Sequence, residues 1–263
     1  MANTPIMFCV TWKRGLAVGA IALALCPGIA AGAVDEDADK LLKSMSTYMG
    51  GLKAFSADVD IDYEIVQIDG QKLQLSSSGT VTVERPGKLH ATRSGGLANV
   101  AFSLDGEMLT IYGKKLNAYV QVPAAGTLED VATTLRNETE LELPAADLLA
   151  ANPYPGLMDT VTTGEYFGTA MVGGVEAHYL AFRAKQIDWQ IWIKTGDDPV
   201  PLKYVITSKW TTGAPQYSIR FSNWNTAPMI DAAMFKFTPP EGARKLDDIP
   251  SSELGLFIVE EAK

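Results

Sequence analysis

The stretch richest in groups that do chemistry is Asp58-Val59-Asp60-Ile61-Asp62-Tyr63-Glu64, with four carboxylates in seven residues. Carboxylates are the ligands calcium takes most readily. Here, however, apolar residues alternate strictly with the acids, and Tyr63 stands where a calcium loop needs glycine for its turn. On a strand the acids splay along one face at about 6.5 Å for every second residue, too far apart for one ion to collect them all. The stretch therefore reads as the solvated face of a half-buried strand. Gly196-Asp197-Asp198-Pro199 reads as a turn rather than a metal site on the same logic of local geometry. The chain has two histidines, His90 and His178, and neither stands at metal-ligand spacing. There is no G-x-S-x-G elbow, phosphate loop or dinucleotide fingerprint. A hydrolase would need a serine, a histidine and a carboxylate assembled across distant strands, and no local pattern pairs a nucleophile with a base. No catalytic residue, metal or cofactor is expected.

The remaining signal is aromatic. Trp189, Trp192, Trp210 and Trp224 fall within the last strands, with Tyr204, Tyr217 and Phe221 close by. In Asp188-Trp189-Gln190-Ile191-Trp192-Ile193, the residues Trp189, Ile191 and Ile193 share one strand face, and Trp192 lies on the other. Core packing accounts for most buried aromatics. The competing reading is the wall of an apolar ligand pocket, since such pockets are mostly apolar and often lie in the mouths of curved sheets.

These residues need elements to hold them. Leu41, Leu42, Met45, Tyr48, Met49 and Leu52 recur at helical spacing and Gly50-Gly51 stops the helix. The period then changes to two. Phe55, Ala57, Val59, Ile61, Tyr63 and Ile65 take one face, and Asp69-Gly70 makes the turn. Strands follow through Leu73 to Val83, Leu89 to Arg93, Val100 to Leu104, Met108 to Tyr112 and Ala118 to Val122. Residues 127–158 interrupt them with two short helices and a proline-rich loop. The first is capped at Thr127 with Asp130 three residues on, and the second is opened by Pro144, Ala145 and Ala146 and stopped before Asn152-Pro153. Strands resume over Glu165 to Val172, Val175 to Ala184, Ile187 to Lys194, Leu202 to Lys209 and Gln216 to Trp224. Met229 to Phe235 reads as a short helical piece. The tail from Arg244 contains Leu254 to Val259, which reads either as a last strand or as a loosely attached end. This order gives a mainly β, α+β chain of about eleven strands in sequential hairpins, forming one large, strongly curved antiparallel sheet. The helices are too few to cover both faces, so the concave side is either covered by them or left as a cavity.

Ahead of all this stands a leader. Lys13 and Arg14 precede an apolar run from Gly15 to Cys26, and Ala31-Gly32-Ala33 is an A-x-A cleavage pattern. The run is short for a membrane span and reads as a secretory signal rather than an uncleaved anchor. Leu25 before Cys26 argues against a lipidated cysteine, because that processing needs a small residue. Cleavage after Ala33 leaves residues 34–263, without cysteine and hence without disulfides. The leader takes Lys13 and Arg14 and no acid, so the net charge moves from −9 to −11. Such acidity argues against nucleic acid and against charge-driven docking on an anionic membrane. No later run is long and apolar enough to span a bilayer.

The last third carries a resemblance. Asp188 to Lys209 gives a Trp-Ile strand, an acidic turn and a proline-led strand. Tyr217 to Ala243 gives an Ile-x-Phe strand, an Asn-Trp-Asn bend and an F-x-F-x-P-P-x-G close. With Gly79 to Leu89 and the opening helix and strand, this pattern resembles the periplasmic lipoprotein-carrier superfamily typified by LolA and LolB. It is most similar to an uncharacterised branch of predicted periplasmic proteins. The resemblance implies a half-closed antiparallel barrel with helices as a lid over an apolar cavity that, in carriers, takes acyl chains. It also implies a lid-locking arginine, for which Arg93 is the candidate here. The expected organisation is a leader over 1–33, the half-barrel over 34–243 with the 127–158 insertion as lid, and a tail over 244–263. The expected function is non-catalytic periplasmic binding of an acyl chain, lipid or other apolar ligand. The alternative is an envelope protein-interaction or sensor module with a filled core. The candidate lining is Phe55, Val59, Ile61, Tyr63, Trp189, Ile191, Ile193, Tyr204, Ile206 and Phe221. Trp192 is assigned to the convex surface, under a neighbouring hairpin or the tail.

Overall fold

A computed structural model of the chain describes residues 33–96, 99–138 and 145–247, all within the unit Gly32–Lys263. The leader and the Leu254 to Val259 segment lie outside the described residues. Helix α1 spans Glu36–Gly51. Asp35 caps it, its carboxylate accepting from the Asp37 and Ala38 N–H groups at 2.7 and 3.3 Å, and Glu36, Asp37 and Asp39 favour the positive end of the dipole. Ala38, Leu42, Met45 and Met49 form its buried stripe. Gly50 is required by contact: a Cβ there would sit 2.2 Å from the Ala151 carbonyl oxygen, because the insertion passes directly against the end of α1.

Eleven strands then follow in antiparallel hairpins. They are β1 (Ala54–Val66), β2 (Lys72–Glu84), β3 (Lys88–Gly95), β4 (Asn99–Leu104), β5 (Met108–Gly113) and β6 (Ala118–Pro123), then β7 (Val161–Val172), β8 (Val175–Ala184), β9 (Ile187–Lys194), β10 (Pro201–Ser208) and β11 (Gln216–Asn225). A twelfth, β12 (Arg244–Lys245), pairs in parallel with β6. One sheet holds them all, in the order β12-β6-β5-β4-β3-β2-β1-β11-β10-β9-β8-β7. Its edges do not meet, so it is a curved, open half-barrel. Two hairpin meanders are joined where β1 pairs with β11, with Ile61 opposite Ile219 and Tyr63 opposite Tyr217.

Alternation puts the apolar set of every strand on one face. Phe55, Ala57, Val59 and Ile61 of β1 are buried on the same side as Val81 and Val83 of β2, Val100 and Leu104 of β4, Ile111 of β5, Ile219 and Phe221 of β11, and Ile191 of β9. Burying this area drives the fold, at about 25 cal/mol per Å². On the other face of β1 the acids are absorbed into cross-strand pairs. Asp62 accepts from Ser76 at 2.5 Å, and Asp60 from Ser78 at 2.7 Å and Arg220 at 3.0 Å. Asp58 accepts from Asn223 at 2.7 Å, and Glu64 pairs with Lys72 at 3.0 Å. Among the described residues no group of three or more His, Cys, Asp or Glu side chains is placed to hold a metal ion.

The insertion begins as expected and then departs from the pattern. Helix α2 (Leu128–Glu138) is capped at Thr127, whose hydroxyl accepts from the Asp130 N–H at 3.2 Å while the Asp130 carboxylate accepts back from the Thr127 N–H at 2.8 Å. The second helix expected from Ala145 and Ala146 is only a 3₁₀ turn, Ala146–Leu149. The helix proper is α3 (Pro153–Met158), beginning where the sequence was read as a stop. Asn152 is extended and Pro153 occupies the first helical position, where its fixed φ and missing N–H cost nothing. After β11 the chain passes a 3₁₀ turn at Ala232–Phe235, which buries Phe235. Phe237 then packs against Tyr112 and Tyr119 at 5.5 and 4.9 Å on the outer face of β5 and β6, and β12 follows. Among the described residues no helix is long and apolar enough to cross a membrane.

Candidate functional site

The expected lining residues converge. Cross-strand pairing places Phe55, Val59, Ile61 and Tyr63 of β1, Phe221 of β11, Tyr204 and Ile206 of β10, and Trp189, Ile191 and Ile193 of β9 on the single inner face. All are buried except Tyr63 and Ile206, which are partly exposed. Trp189 is 2% exposed, stacked on Phe182 of β8 at 4.1 Å and edge-on to Tyr204 at 5.7 Å. Its immediate surroundings are therefore filled by the protein's own rings. Burial also holds the Tyr204 phenol well above its usual pKa, with the Asp147 charge of the insertion adding to the rise.

Two ring partners fall outside the expected lining. Phe182 shares a face with Trp189 only through the register of β8 and β9. Trp224 reaches Phe55 at 5.7 Å and Phe221 at 5.5 Å, and its indole donates to the Pro201 carbonyl at 3.0 Å. The register between β1 and β11 shifts beside it, and Asn223 has φ of 51°. That bulge re-aims Trp224, which simple alternation cannot show. Trp192 lies on the outer face as expected, against the neighbouring β7–β8 hairpin. It stacks on Tyr179 of β8 at 4.6 Å with Lys203 over its ring at 4.8 Å, while Phe237 packs on β5 and β6. Trp210 lies outside the site altogether, exposed and donating to the Lys185 carbonyl.

Burial along the inner face is graded. At the end marked by Phe55 and Val83 the cover is complete: α1, α3 and the 3₁₀ turn Ala146–Leu149 contribute Leu42, Met45, Met49, Leu148 and Leu157 to one core with the sheet. At the other end, past Ile61, cover thins. Tyr63, Ile65, Leu75, Ile206 and Tyr217 are partly exposed and Leu73 is 37% exposed. The long β1–β2 hairpin thus carries the apolar face beyond its helical cover.

Arg85 fastens that cover. Its guanidinium donates to the Leu52 carbonyl at 3.1 Å and the Met49 carbonyl at 3.4 Å at the end of α1, and to the Leu149 and Ala150 carbonyls at 3.0 and 2.8 Å beyond the 3₁₀ turn. Burial lowers its pKa and the Glu129 carboxylate partly offsets this. Glu129 itself accepts from the Ala151 N–H, and Tyr154 of α3 donates to Asp39 of α1. The arginine that locks the helices is therefore Arg85, not Arg93. Arg93 lies two residues before the end of β3, on the inner face opposite Gly79, with its Nε donating to Ser77 at 2.8 Å. A planar fork of donors suits a helix end, where carbonyls lack partners.

The histidines do not form a hydrolytic set among the described residues. His178 Nδ1 is 2.9 Å from the Tyr166 hydroxyl. His90 lies on the outer face opposite Thr82 and Ser103, its pKa lowered by burial and by Lys114.

A curved, open antiparallel sheet with an apolar inner face and an arginine-fastened helical cover defines the architectural class. The chain belongs to the family described as predicted periplasmic protein (DUF2092), whose model matches residues 38–247. No curated protein matches it. Among solved structures it is similar to an uncharacterised conserved protein from Thermus thermophilus, at 12% identity over 81% of this chain and 100% of that one, with a TM-score of 0.48. The lipoprotein LppX of Mycobacterium tuberculosis gives 12% identity over 75% and 100% of the two chains, with a TM-score of 0.44. A LolA superfamily protein from Nitrosomonas europaea gives 8% identity over 76% and 97%, with a TM-score of 0.38.

Proposed function

We propose that the chain is exported to the periplasm and binds an acyl chain or another apolar ligand on the concave face of its sheet, without catalysis. The observation that carries this reading is the mismatch between an apolar inner face and its cover. The helices close one end, while Tyr63, Ile65, Leu73, Leu75 and Ile206 extend a partly exposed apolar surface from the other. Exposed contiguous apolar surface of this kind marks a binding groove more often than chance. The helices that close the first end are fastened by Arg85 and Asp39 and packed on the sheet through Leu42, Met45, Met49, Leu148 and Leu157. The leader pattern and the family's description support the location, and the sequence resemblance to lipoprotein carriers supports the ligand class. Burying ten methylenes would contribute about 8 kcal/mol before ordering costs, enough for useful affinity.

Native mass spectrometry of the purified mature protein tests the proposal, together with tryptophan fluorescence on adding a fatty acid. Lipid adducts and a change in emission from the Trp189–Trp224 region are expected. Protein that carries no lipid and shows no spectral response overturns it.

One arrangement favours the second reading, an envelope protein-interaction module. Trp189 is already packed by Phe182 and Tyr204. Phe167 and Met171 at the β7 edge are 55% and 66% exposed. A stoichiometric protein partner recovered on the β7 edge, with no lipid bound, would establish that reading instead.

A further inference from the structure

The inner face is apolar from strand to strand until it reaches Arg93. Among the described positions of β1 to β6 and β9 to β11, Arg93 is the one charged residue that cross-strand pairing places on that face. It does not stand alone in polarity. Ser77, buried beside it on β2, accepts from its Nε at 2.8 Å. Tyr63 of β1, the cross-strand partner of Tyr217 of β11, stands one step along the same face from Ile61, the partner of Ser77, so the phenols lie diagonally beside the serine. These four side chains come from four strands and form a small polar island.

Glycine brings the strands together here. Gly79 stands directly opposite Arg93 on β2, and Val59 is the next residue across on β1. A Cβ at Gly79 would lie 1.8 Å from the Thr92 carbonyl oxygen, so the two strands approach too closely for any side chain there. The arginine reaches along β2 to Ser77, two residues from Gly79. The island sits at the thinly covered end of the face, among Leu75, Ile206 and Tyr63, and borders the buried row Ile61, Ile219 and Val59. A guanidinium keeps its charge at any physiological pH and presents a planar fork matched to oxyanions. Phenol hydroxyls beside it add neutral donors. Burial lowers the pKa of Arg93 and pushes that of Tyr217 up to about 12, so Tyr217 stays protonated and able to donate.

This deepens the proposed function and rests on it. We infer that the island formed by Arg93, Ser77, Tyr63 and Tyr217 receives the oxyanion headgroup, carboxylate or phosphate, of an amphiphile whose chain runs along the apolar inner face. The geometry separates the two parts of such a ligand. The charge stays at the open end, where it needs least desolvation, and the chain enters beside Ile61 and Ile219.

Three probes of equal chain length test it: hexadecanoic acid, hexadecanol and hexadecylamine, titrated into the mature protein. Inorganic phosphate is added as a competitor to separate a lipid headgroup from a free anion. The wild type should bind the acid at least about tenfold more tightly than the alcohol and reject the amine, the margin of a charge-assisted hydrogen bond. Arg93→Met should remove the preference while retaining the alcohol, and Arg93→Lys should keep part of it. Equal binding of acid and alcohol by the wild type overturns the headgroup assignment and leaves the apolar site standing. This comparison holds even if Arg93→Met fails to fold. Loss of all three probes overturns both readings. Displacement of the acid by millimolar phosphate would show a free-anion site and overturn the amphiphile assignment.

Discussion

At the scale of single residues, the molecule separates chemistry-like patterns from functional ones. The acids of β1 were legible as a solvated face because their alternation is local. The structure engages each of them with a serine, asparagine, lysine or arginine of a neighbouring strand. These pairs are exposed and contribute little, so Asp60→Asn should change stability by less than about 1 kcal/mol. Trp189→Ala, by contrast, removes a ring held between Phe182 and Tyr204 and should cost about 3–5 kcal/mol in denaturant unfolding. A smaller loss, near about 1 kcal/mol, would mean that the site collapses around the gap or is loosely packed. The inner-face residues of β1, β9, β10 and β11 could be named in advance because period-two alternation sorts faces. Phe182 could not, since its partner is fixed by register, and Trp224 could not, since a bulge at Asn223 turns it. Arg85 was hidden for another reason. Its four carbonyl partners are backbone atoms of segments far along the chain, and backbone leaves no mark in the sequence.

At the scale of elements, the helical cover is fastened to the sheet at one residue, Arg85. Arg85→Ala would leave carbonyls at the end of α1 and in the insertion without their donor, a loss of about 1–3 kcal/mol. Most of that should appear locally. Amide exchange across residues 146–158 should accelerate while that of β1 and β11 stays slow. Equal acceleration in both would show that the cover and the sheet open as one unit. The Asp39 contact between α1 and α3 responds to pH. Hydrogen bonds from Lys43 and Tyr154, in that order, lower the Asp39 pKa, and burial opposes them weakly. A lowered carboxylate pKa contributes stability that is complete above the ordinary aspartate value of about 3.9 and lost as pH falls through the lower folded value. Exchange in α3 should therefore rise below about pH 4 and not above it, and Asp39→Asn should abolish that dependence. The elements themselves were mostly legible, α1 from its 3.6 period and the strands from alternation and turn glycines. The exception at Asn152-Pro153 arose because Asn-Pro can mark either a stop or a start, and here Pro153 takes the first helical position of α3. Strand β12 was invisible at two residues, paired only through β6, with Arg244 opposite Ala118.

At the scale of the whole molecule, the sheet order carries information that hairpin counting does not. Sequential hairpins predict two meanders, and their junction along β1 and β11 depends on which edges happen to be complementary. That junction joins positions 160 apart in sequence, as the Asp60–Arg220 pair shows. The strand between β1 and β10, near the middle of the sheet, is thus the last long strand among the described residues. β1 and β10 each keep an unpaired edge until β11 arrives, and contacts at such separation are slow to form. A polypeptide delivered N-terminus first through a membrane pore would bring β11 across after the ten strands before it. On the export reading, the two meanders can emerge and form hairpins one after the other, but they become a single sheet only once β11 has crossed.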